Sequence, residues 1–185
     1  MSHGTLHTRG FSLIELLMSM TILAVLLTIA SPSFATLIGR SRGQSARVAL
    51  DTALNLARIS AVSRGTHVVA CPSLDQQQCL HGTEWQHGWL VFADLDHDGA
   101  RSANEPLISV MQAQPSGVGI QSTTGRLHVD YQPDGSAGGT NLTLTVCDRA
   151  AGAANASTLV VNQNGRIRRG VATADAAAAC LAIAG

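Results

Sequence analysis

GFSLIELLMSMTILAVLLTIASPSF, residues 10–34, decides the architecture of this chain. Glu15 is its only charged residue, and with the flanking apolar residues the run reaches the ~20 residues that a helix needs to cross the hydrocarbon core of a bilayer. It reads as a membrane-inserted helix. The stretch after it, SPSFATL (31–37), is a weak cleavage site of the kind a secretory signal requires, so the run reads as a retained anchor. A carboxylate deep in a bilayer costs roughly 2.5 to 3.5 kcal/mol on insertion scales, so Glu15 needs either the interface or a partner. Pro32 lacks a backbone donor and is expected to bend or loosen the helix.

The hexapeptide Gly10-Phe11-Ser12-Leu13-Ile14-Glu15 resembles the processing motif of type IV prepilins: a glycine, then a phenylalanine, then a glutamate at the fifth position of the mature chain. That resemblance implies removal of a leader, residues 1–10, by prepilin peptidase on the cytoplasmic side. It also implies methylation of the new amino terminus at Phe11, and pairing of Glu15 with a neighbouring subunit's terminal amine during assembly. The chain would then be a single-pass protein of the bacterial inner membrane with a periplasmic globular domain, later incorporated with other pilins into a fibre at the cell surface. One feature pulls the other way. Arg9 alone precedes the apolar run while Arg40, Arg42 and Arg47 follow it, which by the positive-inside tendency favours the opposite orientation. The motif is taken to decide.

At 185 residues the chain accommodates one domain with a core and an appendage. Residues 11–38 form the membrane and assembly half of a long helix. Ala46, Ala49, Leu50, Ala53, Leu54, Ala57 and Ala61 then recur at spacings of three and four, an amphipathic stripe that continues the helix over 39–64, with Arg47, Asp51 and Arg58 off the stripe. Gly65 ends it. Residues 65–185 break into short runs bounded by turn residues: THVVAC, GWLVFAD, PLISVMQ, VGIQS, LHVDYQ, LTLTVC, TLVVNQ and GRIRR. These predict a mostly antiparallel β domain, with Asn164-Gly165 as a two-residue hairpin turn. The fold class is therefore α+β, a long amino-terminal helix packed on a β-sheet or sandwich.

Cys71, Cys79, Cys147 and Cys180 all follow the membrane segment, and their even number suggests two disulfides. Cys71–Cys79 closes a local loop and Cys147–Cys180 pins the alanine-rich tail ATADAAAACLAIAG, so these pairs are favoured. With the strands, the tethering helix and the GWLVFAD…DG…EPL arrangement, the chain resembles the FimT/GspH-like minor pilins and pseudopilins, and a type IV pilin-like fold is implied.

Asp94, Asp96, Asp98, Gly99 and Glu105 match the calcium-loop spacing D-x-D-x-D-G-x5-E. The flanking runs read as strands, whereas the EF-hand requires helices, so the loop is expected to be an acidic turn and no cofactor is expected. His81, Glu84 and His87 lack the H-E-x-x-H spacing and read as loop residues, and Trp85 and Trp89 read as core. Asn141 and Asn155 head glycosylation-type triplets that carry little information. Neither a P-loop nor a dinucleotide fingerprint occurs, and no cysteine stands beside an evident base, which argues against an enzyme.

Formal charges cancel at 12 basic against 12 acidic, yet NGRIRRG (164–170) holds three arginines and no acid occurs between Asp148 and Asp175. The basic set contains no lysine, so every fixed cation is a guanidinium suited to bidentate pairing with phosphate. In a strand Arg166 and Arg168 face one side, ~6.6 Å apart, and Ile167 faces the core. With Arg169 the cluster reads as an uncancelled +3. Two readings stay open on the residues alone: a phosphate clamp, or a charged edge strand guarded against aggregation. Some FimT-like minor pilins of naturally transformable bacteria carry G-R-x-R in this final hairpin and are implicated in DNA uptake. Gly165-Arg166-Ile167-Arg168 resembles that motif, which implies non-specific DNA binding through Gly165, Arg166, Arg168 and Arg169. The alternative is a structural minor pilin or type II secretion pseudopilin that primes fibre assembly.

Overall fold

The computed structural model describes residues 12–139 and 141–185, apart from the side chains of residues 29, 30 and 32. The cleavage site Gly10-Phe11 and the side chain of Pro32 thus lie outside the described residues. Two compact units are present, divided between Ala35 and Thr36, and one α-helix, α1 (Leu13–Arg64), contributes to both.

In the first unit Ser12 caps α1: its hydroxyl and carbonyl accept the Glu15 N–H at 3.3 and 3.1 Å. Ser12 and Glu15 have the S-x-x-E spacing of a capping box, a start signal not picked out in the sequence reading. Every described side chain from Ser12 to Thr28 is exposed. The hydroxyls of Ser19, Thr21 and Thr28 donate to carbonyls three or four residues back, at 2.7 to 2.8 Å, so they carry no unmet donor into an apolar medium. Among the described residues Glu15 has no ion-pair partner.

In the second unit the apolar stripe of α1 is buried, with Leu50, Leu54, Ala57 and Ala61 fully enclosed. The stripe's alanines and leucines join the inward residues of the sheets in one core. Gly65, in the left-handed region at φ +66°, stops the helix while its N–H bonds the Ala61 carbonyl at 2.9 Å. Eight strands follow: β1 (His67–Pro72), β2 (Trp89–Asp94), β3 (Leu107–Met111), β4 (Val118–Ser122), β5 (Val129–Tyr131), β6 (Leu142–Asp148), β7 (Ser157–Val161) and β8 (Ile167–Val171). They form two antiparallel sheets, ordered β3-β2-β1-β5 and β4-β6-β7-β8. Inward residues of both sheets meet the helix in one core that includes Trp85, Trp89, Tyr131, Ile120 and Leu159.

The alanine-rich tail is not merely pinned but helical: α2 (Ala174–Ile183) starts at Thr173, whose hydroxyl accepts the Ala176 N–H at 3.3 Å. Ala177 and Cys180 pack on the outer face of the second sheet against Cys147. Both disulfides are formed, Cys71–Cys79 and Cys147–Cys180. Gly119 makes room for the second one, since a Cβ there would lie 2.9 Å from the Cys147 sulfur and 2.6 Å from the Cys180 carbonyl.

Candidate functional site

β8 is the outer strand of the second sheet, paired on one side with β7 and, among the described residues, with no strand on the other. The connection between them differs from the two-residue turn expected at Asn164-Gly165. Gly165 N–H bonds the Asn162 carbonyl at 2.8 Å, and Asn162 N–H bonds the Arg166 carbonyl at 3.1 Å, so the loop has three residues, 163–165. Gly165 occupies its left-handed position at φ +71°, which is where this loop class requires glycine.

A second reason for that glycine is proximity. A Cβ on Gly165 would come 2.0 Å from the Gly135 carbonyl oxygen. Arg58, on α1, holds the same place from the other side: its Nε donates to the Gly135 carbonyl at 2.8 Å and its Nη2 to the Asn164 carbonyl at 3.2 Å. The Ala137 N–H adds a bond to the Gln163 carbonyl at 2.8 Å. The turn is thus fastened to α1 and to the 135–137 segment. Arg58 reads in sequence only as a charge off the apolar stripe, so its role as a clamp was not legible there.

Arg166 and Arg168 are exposed, and strand alternation puts them on the face opposite Ile167, which packs against the core. Among the described residues neither guanidinium has a carboxylate within ion-pair distance. Arg169 behaves differently. It points to the helix side, where Asp51 accepts from its Nε at 3.1 Å and its Nη2 at 2.5 Å. The uncancelled +3 expected from sequence is therefore a +2 from Arg166 and Arg168. The correction has a simple cause: the neutralising acid lies 118 positions away in the chain, beyond any local charge count.

The acidic turn between β2 and β3 uses its carboxylates on its own backbone. Asp94 accepts the His97 and Gly99 N–H groups at 2.8 and 3.0 Å, and Glu105 accepts those of Leu95 and Ser102 at 2.7 and 2.8 Å. Asp94 and Glu105 are buried while Asp96 and Asp98 are exposed. Burial pushes the Asp94 carboxyl above the ordinary carboxylate range, against the opposing pull of its two amide bonds. One oxygen each of Asp94, Asp96 and Asp98 lie within 4.8 Å of one another. Strands, not helices, flank the turn. Glu84 and His87 meet at 3.2 Å, and no described bond joins His81 to either. Trp85 and Trp89 are fully buried.

Comparison with known proteins gives two family matches. The family described as type II transport protein GspH matches residues 46–165, and the prokaryotic N-terminal methylation motif matches residues 6–31. The GspH match ends one residue before Arg166, so it says nothing of the two free arginines. Two crystal structures of the type IV minor pilin FimU of Pseudomonas aeruginosa strain PAO1, in different space groups, are similar with TM-scores of 0.56 and 0.52. Both share 19% identity, covering 74% and 71% of this chain and 92% and 94% of theirs. The minor pseudopilin EpsH of the Vibrio cholerae type 2 secretion system is similar at a TM-score of 0.49 and 12% identity, over 69% of this chain and 95% of that one. At such identities the likeness to FimU speaks for the fold alone. No curated protein sequence matches at a significant level.

Proposed function

Since this chain belongs to the GspH family and carries a methylation motif ahead of its GspH domain, a minor pilin or pseudopilin and not an enzyme, we propose that its particular task is to hold DNA on the fibre. The observation that carries this reading is the pair of unpaired, exposed guanidiniums of Arg166 and Arg168 on one face of β8, next to a turn fastened by Arg58 and Gly165. Phosphate diesters are the ligand that two guanidiniums at this spacing suit. A sheet edge has no helix to enter a groove, so recognition runs through the backbone of DNA and is nearly independent of sequence. The resemblance to FimT-like pilins makes DNA uptake in natural transformation the process served. Processing by prepilin peptidase after Gly10, methylation of Phe11, pairing of Glu15 with a neighbouring subunit and a periplasmic domain before assembly belong to the same reading. No cofactor is part of this reading.

A second reading has its own support. β8 is an edge strand, charged edge residues prevent unwanted pairing, and the matched family is described by type II transport. On that reading the protein primes fibre assembly and the arginines only guard the edge. Fluorescence anisotropy with labelled duplex DNA and the full chain in non-ionic detergent separates the two. Replacing both Arg166 and Arg168 by glutamine abolishes binding on the first reading. No binding by the parent leaves the second, and undiminished binding by the double variant makes the arginines an edge guard and places the DNA contact elsewhere.

A further inference from the structure

Within the second unit a concave site of about 230 Å³ lies between the start of its helix and the end of β6, lined by Gly39, Arg40, Gln44, Arg47, Asp148 and Asn155 among others. Its shape follows from sequence. Arg40, Gln44 and Arg47, at spacings of four and three, share one side of α1. Gly39 lets the 148–151 segment touch the helix: a Cβ there would lie 2.4 Å from an Asp148 oxygen and 2.7 Å from the Ala151 nitrogen.

The acid in the site is already spent. Asp148 accepts the N–H groups of Ala150 and Ala151 at 2.9 and 3.2 Å and is paired with Arg42 Nε at 3.2 Å, its side chain fully buried. Arg42 is thereby neutralised, and its Nη1 bonds the Ser116 carbonyl at 3.1 Å. Arg40 and Arg47 have no hydrogen-bond or ion-pair partner among the described residues. Two unpaired guanidiniums therefore face one small cavity that also holds the Gln44 and Asn155 amides and the Ser157 hydroxyl.

Position in the chain selects the ligand. Exposed Leu37 and Ile38 immediately precede the site, and at 1.5 Å per residue Arg40 lies ~3 Å and Arg47 ~13 Å beyond Ile38 along the helix. Helical side chains lean toward the amino terminus, which carries the Arg47 guanidinium back toward Arg40 and the apolar end. With exposed Leu37 and Ile38 at the edge of the hydrocarbon, that distance sets the two arginines in the headgroup layer. We propose that this cavity binds the phosphate of an anionic phospholipid headgroup, holding the domain against the membrane surface before assembly. The chemistry is that of a phosphate diester, and the location makes lipid its source.

The test uses the full chain in non-ionic detergent, titrated with three probes: short-chain phosphatidylglycerol, inorganic phosphate and a DNA oligonucleotide. Saturable binding of the lipid is expected, weakened on the order of tenfold or more by R40Q/R47Q and unchanged by R166Q/R168Q, with melting temperature retained. Gln44→Glu, which sets a carboxylate between the arginines without removing either, should weaken lipid binding too. Equal affinity for inorganic phosphate would overturn the lipid assignment. Lipid binding indifferent to both R40Q/R47Q and Gln44→Glu, or absent from the parent, would overturn the site. Loss of DNA binding, and not lipid binding, in R40Q/R47Q would reassign the cavity to nucleic acid.

Discussion

Gly165 and Arg169 show how differently two residues of one motif are constrained. Gly165 combines a left-handed backbone with a carbonyl at a distance that no Cβ tolerates, so Gly165→Ala must open the loop away from Gly135. A loss of roughly 1 to 3 kcal/mol is expected, read as a lower urea midpoint with unchanged m-value, accompanied by weaker DNA binding although no charge is touched. Arg169 carries charge and yet should leave DNA affinity within about twofold when changed to glutamine, because its guanidinium is already held by Asp51. Its side chain remains 60% exposed, so the lost pair costs on the order of 1 kcal/mol or less. A drop in DNA affinity for R169Q as large as for R168Q would contradict this assignment. The motif itself was visible in the sequence. That Asp51 removes one of its charges was not, since residue spacing carries no information about which helix turn faces which strand.

At the scale of elements, seven strands were legible as short apolar or alternating runs between turn residues, β8 through the Asn-Gly turn before it, and the helix because alanine and leucine recur at its period. Two elements read less well. Three-residue and two-residue hairpins both use Asn-Gly, and only the bonds at Asn162 distinguish them. The tail's alanines favour a helix by propensity, but a ten-residue helix is marginal alone and owes its persistence to packing and to Cys180. Removing that disulfide by Cys147→Ser and Cys180→Ser, which opens a 33-residue separation, should cost ~3 to 4 kcal/mol on the chain-entropy estimate. Amide exchange would show α2 losing protection first while β1 and β2 keep theirs. Uniform loss of protection across both sheets would instead mean that α2 is integral to the core.

For the whole molecule, α1 presents exposed leucine, isoleucine and methionine in the first unit and a buried stripe in the second, and the methylation motif matches residues 6–31. Mass spectrometry of the membrane-extracted protein should find residues 11–185 with a methylated Phe11, and Glu15→Ala should insert normally yet enter fibres poorly, because it removes a charge cost and an assembly partner together. Retention of Met1 in fibres would contradict the processing. DNA binding by so small a patch must be weak and salt-sensitive, and several copies on one fibre would add by avidity. The most direct measurement is the salt dependence of duplex DNA affinity for the parent and R166Q/R168Q. Two neutralised phosphates predict a slope of log affinity against log salt of about −2 for the parent, with no measurable binding by the variant. A variant that binds with the parent's affinity and slope would place the DNA contact elsewhere and leave β8 a guarded edge.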